Sequence, residues 1–494
     1  MSLLGLDIGT TGTKAVLFTE SGRIIDTEYQ DYPHVYPHPG WVELEPERVW
    51  SAVCKTVSRV AERAAAPIKA LGISCLGDNL IPVARDNRPL YNGILAVDDR
   101  ATAEVAFIDS VIGRRGFFEI TGGPLTTTTN MSKVLWLKRN RPDIFAATWK
   151  YMMFADYVLM RMGFAPLISY SMASLSIFDL KRRNYPTEML TEFGVDVRAF
   201  SELVPPSYVF GEIPLEGRTA LGLPAGIQVV AGGIDLACGV LGAGVSPVTP
   251  EMVADVAGTM EHAAYVTSEP AMNEQAFIGN ALCFCNVVDD SYLVFKGLPT
   301  AGAAMRWFSD QFAGEEKTRA EREGRNVYDV MFEPLVFDGR NVIMHPYLAG
   351  HYDDSSVRAS IQGITLATTK DNILAGLIEG ITHELRNNIE LIESVVSRPL
   401  RRVRAVGGLA RSAKWLQLRA DITGRNIETA SITEASALGA AIVAGLATGV
   451  YSSTEQAVGS IVTVNECYSP RQEFFEIYNR QHEIYNESAS SSHY

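Results

Sequence analysis

From its amino terminus the chain is a series of short apolar runs separated by small polar residues. The first is Leu3-Leu4-Gly5-Leu6-Asp7-Ile8, followed by Gly9-Thr10-Thr11-Gly12 and then Thr13-Lys14-Ala15-Val16-Leu17-Phe18. Such runs bounded by Gly and Thr predict strands, with Glu20-Ser21-Gly22-Arg23 as a hairpin turn into a third. A polar, proline-punctuated stretch covers 33–46. Val49, Trp50, Val53, Val57 and Val60 then recur at helical spacing and predict a helix from about 47 to 66. Residues 68–76 read as a buried strand, and helical patterns return near 131–140 and 151–162. The stretch 200–225, rich in Pro and Gly, reads as loop. Gln228-Val229-Val230-Ala231 reads as a strand that turns through Gly232-Gly233 and enters a helix after Ile234-Asp235.

The second half repeats the theme. Met252-Val253-Ala254-Asp255-Val256-Ala257 is again an apolar run carrying an Asp, and it breaks into Gly258-Thr259-Met260. Helices follow at 300–312 and 371–396, a strand at 402–406, and helices at 413–423 and 433–448. The Gly/Ala-rich stretch 438–450 is too short to span a bilayer and reads as a buried helix. Residues 488–494 are Ser-rich and read as a disordered tail. Strands alternating with helices predict an α/β class. The Gly/Pro-rich joint at 241–250 divides the chain into lobes of 1–245 and 246–494.

Length and charge agree with this division. A chain of 494 residues exceeds one ordinary core. Its 47% hydrophobic and 20% charged content fits a globular protein, and a net charge of −14 argues against nucleic-acid and membrane partners. Six scattered cysteines have no metal-site or disulfide spacing, which predicts a reduced, cytoplasmic protein. A homodimer is left open.

The two Gly-Thr turns are the candidate chemistry. Glycine lets backbone N–H groups approach a ligand closely and threonine adds hydroxyl donors, a combination suited to the oxygens of a nucleotide's phosphates. Two such turns, half a chain apart, predict a nucleotide held between two lobes. Asp7, inside an apolar strand, either positions Mg²⁺ or water beside the phosphates or closes its own turn. Lys14 is a candidate for neutralising phosphate charge. Asp235, at a strand-to-helix turn, is the candidate catalytic base or an N-cap; the helix start is expected to lower its pKa. Gly407-Gly408 at a strand end could admit a flat ligand against bare backbone. A nicotinamide enzyme of the Rossmann type is a poor third reading, because Gly9-Thr10-Thr11-Gly12 lacks the spaced glycines and leads into a strand.

These residues, in this order, resemble the FGGY carbohydrate kinases, within the broader fold of actin, sugar kinases and heat-shock ATPases. The likeness runs from Leu3 to about Val450. It includes Gly5 to Lys14, Pro39-Gly40-Trp41-Val42-Glu43, Gly233-Ile234-Asp235, Gly258-Thr259, Ala301 to Phe308, Gly407 to Ser412, and Glu434 with Ala437-Leu438-Gly439-Ala440-Ala441. The resemblance implies two actin-like (ribonuclease H-like) lobes with an active-site cleft between them, and transfer of the γ-phosphate of ATP, with Mg²⁺, to a sugar or polyol hydroxyl. It makes Asp235 the base and gives Asp7, Thr10, Thr11, Lys14, Gly258 and Thr259 to phosphates and metal. Gly302, Arg306, Gly408, Leu409 and Ser412 would lie along the nucleotide.

The chain departs from the xylulose-kinase-like branch of the family at the sugar loops. Leu76-Gly77-Asp78-Asn79 stands where Gln-Met-His-Gly is usual, and Ala96-Val97-Asp98 where Trp-Asn-Asp is usual. Asp78, Asn79, Asp98 and Asp235 are therefore the expected substrate residues. Three carboxylates on one pocket would favour a neutral sugar or polyol, either a ketopentose (xylulose, ribulose) or a polyol (glycerol, erythritol). An actin-like ATPase serving as a switch or sugar sensor is the alternative from another class.

Overall fold

A computed structural model describes residues 1–175, 177–351 and 356–490. Six strands form the first sheet: β1 (Ser2–Ile8), β2 (Gly12–Thr19), β3 (Ile24–Asp31), β4 (Ile68–Cys75), β5 (Val209–Glu212) and β6 (Gln228–Ile234), in the order β5-β6-β4-β1-β2-β3. The first three make an antiparallel meander, and β1, β4 and β6 run parallel. Seven strands form the second: β7 (Met252–Ala257), β8 (Glu261–Thr267), β9 (Leu282–Cys285), β10 (Tyr292–Leu298), β11 (Arg402–Gly407), β12 (Asn426–Ala430) and β13 (Val464–Tyr468), in the order β9-β10-β8-β7-β11-β12-β13. Here β7, β8 and β10 are the antiparallel part and β7, β11 and β12 the parallel part. Each sheet thus holds an antiparallel trio whose first strand also begins a parallel trio.

Helices cover these sheets. Helix α1 (Pro46–Glu62) buries Val49, Trp50, Val53, Val57 and Val60, the stripe expected from the sequence; each such side chain contributes about 1.5–3 kcal/mol on burial. It ends earlier than 66 because Pro67 disfavours helix in the residues before it. The expected helix at 151–162 is a strand, Lys150–Met152, followed by a helix, Phe154–Arg161. The stretch 200–225 is not all loop: it holds a short strand (Glu202–Val204), β5, and a helix at Leu215–Ala220, with the prolines between these elements and Gly211 and Gly217 inside β5 and the helix. Strand β6 continues through Gly232-Gly233 instead of turning there. The register with β4 shifts between Val230 and Gly233, so the glycine pair is a bulge. Further along, α2 (Asn130–Asn140), α3 (Asp235–Gly242), α4 (Gly302–Phe312), α5 (Val327–Phe332), α6 (Lys370–Val396) and α7 (Ala413–Thr423) complete most of the helical layer. The expected disordered tail is helical as far as it is described: α9 (Gln472–Ser490) covers its first residues, and 491–494 lie outside the described residues.

Helix α8 (Ala435–Ala447) comes from the second half of the chain but lies on the first sheet, against β1, β4 and α3. Glycines permit this approach. A Cβ on Gly5 or Gly72 would collide with the carbonyl of Ala437 or Ala440, and one on Gly242 with that of Ala435. Helices α3 and α8 therefore join the two halves through direct backbone contact. Among the described residues, no helix is long and apolar enough to cross a membrane.

Candidate functional site

The parallel strands of the first sheet bring its chemistry to one edge. Asp7 on β1 lies beside Ser74 on β4, and Ser74 lies beside Gly233 on β6; one residue further, Ile8, Cys75 and Ile234 align. Asp235 comes next and opens α3. This is the carboxyl end of parallel strands, where α/β folds bind ligands. Ser74 Oγ donates to Asp7 Oδ1 at 2.7 Å. Burial raises the pKa of Asp7, and Glu434 adds to the rise, while Ser74 and Lys14 oppose it.

Asp235 is partly exposed, and its Oδ1 accepts from the Leu236 N–H at 2.7 Å. Its pKa is pushed up to about 7, by burial first and then by the charges of Asp7 and Asp78. The expected lowering by the helix start is therefore overturned, because one backbone hydrogen bond is outweighed by desolvation and two like charges. A carboxylate with that pKa can take a proton near neutral pH.

The first Gly-Thr turn is held by its carbonyls. Tyr32 Oη donates to the Gly9 carbonyl at 2.5 Å and Tyr29 Oη to that of Thr11 at 3.3 Å, while His34 Nε2 bonds that of Thr10 at 2.8 Å. Thr10 and Thr11 are exposed, and no hydrogen bond among the described residues takes their hydroxyls. Lys14, directly across the strand pair from Asp7, forms an ion pair with Glu434 at 2.7 Å. Both partners are partly exposed, and such pairs contribute about 0.2–1 kcal/mol.

The expected substrate residues divide. Asp78 stands in the loop after β4 with φ of 49°, left-handed and unusual outside glycine, and its charge reaches Asp235. Its backbone carbonyl accepts from the Lys133 ammonium. Asn79 and Asp98 are corrections. Asn79 is fully buried; its Nδ2 donates to the Leu76 carbonyl and its Oδ1 accepts from the Phe154 N–H, so it builds the loop and does not face a ligand. Asp98 is 1% exposed, and its two oxygens accept from the N–H groups of Val42 and Arg100 and from the Arg100 guanidinium. With Arg100 also paired to Glu43 and set 4.1 Å over the Trp41 ring, Asp98 belongs to an internal ion pair and does not face a substrate.

Lys133 was not singled out in the sequence. It lies on α2 in the wholly buried run Asn130 to Leu137, and a lysine inside such a run is the signal that marks it. Burial pulls its pKa down, while Asp78 and Asp98 hold it charged.

Across the molecule, the second Gly-Thr turn lines a cavity of about 490 Å³ with Gly302, Arg306, Gly408 and Ser412. Here the turn's carbonyls are taken by backbone at the start of α4: Gly302 N–H donates to Gly258 at 3.0 Å, and Ala303 N–H to Thr259 at 3.1 Å. Gly407 has φ of +100°, and a Cβ there would strike the Ala257 carbonyl; at Gly408 a Cβ would meet nothing within 4 Å. The first glycine makes the turn and the second keeps the cavity open. Phe332 and Trp415, stacked at 5.7 Å, also line it, as do Asn326 and Tyr328 near the start of α5. Trp415 closely follows the segment Gly407 to Ser412 expected along the nucleotide; Asn326, Tyr328 and Phe332 carry no such mark in the sequence and belong to a separate stretch that only folding brings beside it. Ser412 also caps α7 by accepting from the Trp415 N–H at 3.4 Å. The side chain of Leu409 lies outside the described residues.

No group of three or more His, Cys, Asp and Glu side chains able to hold a metal occurs among the described residues. Mg²⁺ carried by a triphosphate needs only one or two protein carboxylates. Asp7 fits that role by position: it stands at the carboxyl end of β1 just before the first Gly-Thr turn, partly exposed, with Ser74 bonded to its Oδ1.

Known proteins resemble this chain in sequence and in fold. Residues 2–242 match the model of the N-terminal domain of the FGGY family of carbohydrate kinases, and residues 253–448 that of its C-terminal domain. A gluconokinase of Bacillus subtilis is 29% identical over 90% of this chain and 88% of its own length. A xylulose kinase of Staphylococcus xylosus is 25% identical over 90% of each chain. The crystal structure of a ligand-bound xylulose kinase from Lactobacillus acidophilus superimposes with a TM-score of 0.90 at 22% identity, covering 99% of this chain and 98% of the other; that likeness is one of fold.

Proposed function

The chain belongs to the FGGY family of carbohydrate kinases, phosphotransferases that act on sugar hydroxyls with ATP, and from that premise we propose which residues carry the reaction and on what substrate. The substrate is a neutral sugar or polyol, and Asp235 is the base that takes the proton of the accepting hydroxyl. The supporting observation is the position of Asp235 at the carboxyl edge of the first sheet, one residue past the row Ile8–Cys75–Ile234 and within reach of the Asp7 charge, with a pKa near 7. The cavity of the second half takes the nucleotide, its base beside Phe332 and Trp415 and its phosphates toward Gly258-Thr259. Thr10, Thr11 and Lys14 receive the γ-phosphate from the other side. Mg²⁺, bound with the nucleotide, would be held by Asp7 and would neutralise phosphate charge. The lobes are 1–245 and 246–494. The work is placed in the cytoplasm, where ATP is supplied and the six free cysteines stay reduced.

Neutral substrates are favoured because Asp7, Asp78 and Asp235 stand close enough for their charges to interact. A sugar acid is the second reading, supported by the buried Lys133 ammonium at Asp78 and by the 29% identical gluconokinase. Coupled ADP release with Mg-ATP against ketopentoses, aldoses, polyols and sugar acids separates them. The expected result is one neutral substrate far above the sugar-free rate; preferred turnover of gluconate would instead establish the acid reading. A flat panel with retained ATP binding would favour the switch or sensor role.

A further inference from the structure

We propose that Glu434 is a positioning residue for phosphoryl transfer, and that the start of α8 is a bracket tying the first phosphate turn to the catalytic base. The inference rests on the reading of Lys14 as a phosphate ligand.

Glu434 occupies the N-cap position of α8, yet its side chain makes no capping hydrogen bond. Its carboxylate instead reaches the Lys14 ammonium at 2.7 Å, linking residues 420 apart in sequence. Two residues on, Ser436 Oγ donates to the backbone carbonyl of Asp235 at 3.1 Å. One further, the Ala437 carbonyl sits on Gly5 of β1, two residues from Asp7, where no Cβ would fit. A single helical turn from the second half of the chain therefore touches the lysine, the base and the strand that carries Asp7.

The chemistry of the pair suits positioning better than cohesion. Lys14 and Glu434 remain 29% and 24% exposed, so the pair is open to solvent and to an incoming anion. An ammonium has three N–H donors, and Glu434 takes one. The other two have no hydrogen-bond partner among the described residues. Lys14 can keep its carboxylate contact while presenting two donors to phosphate oxygens. Without Glu434, a flexible four-carbon stem would have to be ordered in each turnover, a cost that falls on the rate.

The test is a double-mutant cycle on full-length protein, following sugar-dependent ADP release and, separately, ADP affinity. Glu434→Gln keeps the side-chain shape and removes the charge. It is expected to lower kcat about tenfold or more, with ADP affinity and unfolding temperature unchanged. Glu434→Asp, one methylene shorter, should lose part of that rate. On a Lys14→Met background Glu434→Gln should cost nothing further, because its effect passes through Lys14. An unchanged kcat in Glu434→Gln, or a full loss that adds to that of Lys14→Met, overturns the inference while leaving Lys14 as a phosphate ligand. Normal turnover in Lys14→Met overturns both.

Discussion

The two Gly-Thr turns look alike in sequence, yet they place their aspartates on opposite sides of the strand. Asp7 precedes Gly9 by two residues and Asp255 precedes Gly258 by three. Side chains alternate along a strand, so that single step reverses the face. Asp7 turns toward Ser74 and the neighbourhood of Asp235. Asp255 turns into the core, fully buried, and pairs with Arg419, which also reaches Glu261 at 2.5 Å. The position equivalent to Asp7 in the second turn is Val256. The duplicated architecture therefore carries one reactive edge and one holding edge. The turns also differ in support: tyrosine and histidine side chains brace the first, and the backbone of α4 braces the second.

Substitutions in the two ion-pair settings should separate along that line. Arg419→Met would strand Asp255 and Glu261 as buried carboxylates and should cost about 3–5 kcal/mol in chemical denaturation. Asp7→Asn should leave the denaturation midpoint near that of the wild type, while sugar-dependent ADP release collapses. Equal stability losses in the two variants would mean that Asp7 is as structural as Asp255.

A smaller effect distinguishes the adjacent glycines of the nucleotide side. Gly407→Ala forces a side chain into a backbone conformation (φ 100°, ψ −173°) open essentially only to glycine, at about 1–3 kcal/mol, and against the Ala257 carbonyl besides. Gly408→Ala should change stability by no more than about 0.5 kcal/mol and should still weaken ADP binding, since its methyl group enters the cavity. Calorimetric titration of ADP into both variants reads the difference.

The repeated strands and most helices were legible because their apolar periodicity is local. So was the list of turn residues, since glycine and threonine mark a phosphate cradle by type. What escaped depends on geometry set by distant parts of the chain. The Gly232-Gly233 pair is read as a turn by residue type, but pairing with β4 on one side makes it a bulge in a continuing strand. Asp98 looks like a pocket residue until Arg100 is seen to occupy both its oxygens. Asn79 is spent on backbone groups as far away as Phe154. Lys133 and the Glu434–Lys14 pair join separate segments, and no spacing rule connects them.

Asp235 carries the account. Its raised pKa means that the folded protein holds a proton which the unfolded chain releases between 3.8 and about 7, so this group takes stability away as pH rises through that window. The base form grows over the same range, and kcat/KM should rise with pH through about 7. The most direct measurement is sugar-dependent ADP release by Asp235→Asn across that range, with ADP affinity determined in parallel. The predicted result is a rate lower by about 10²–10⁴, no rise near pH 7, and unchanged ADP binding. Sugar-dependent turnover close to the wild-type rate, with the same pH profile, would contradict the assignment of Asp235 as the base.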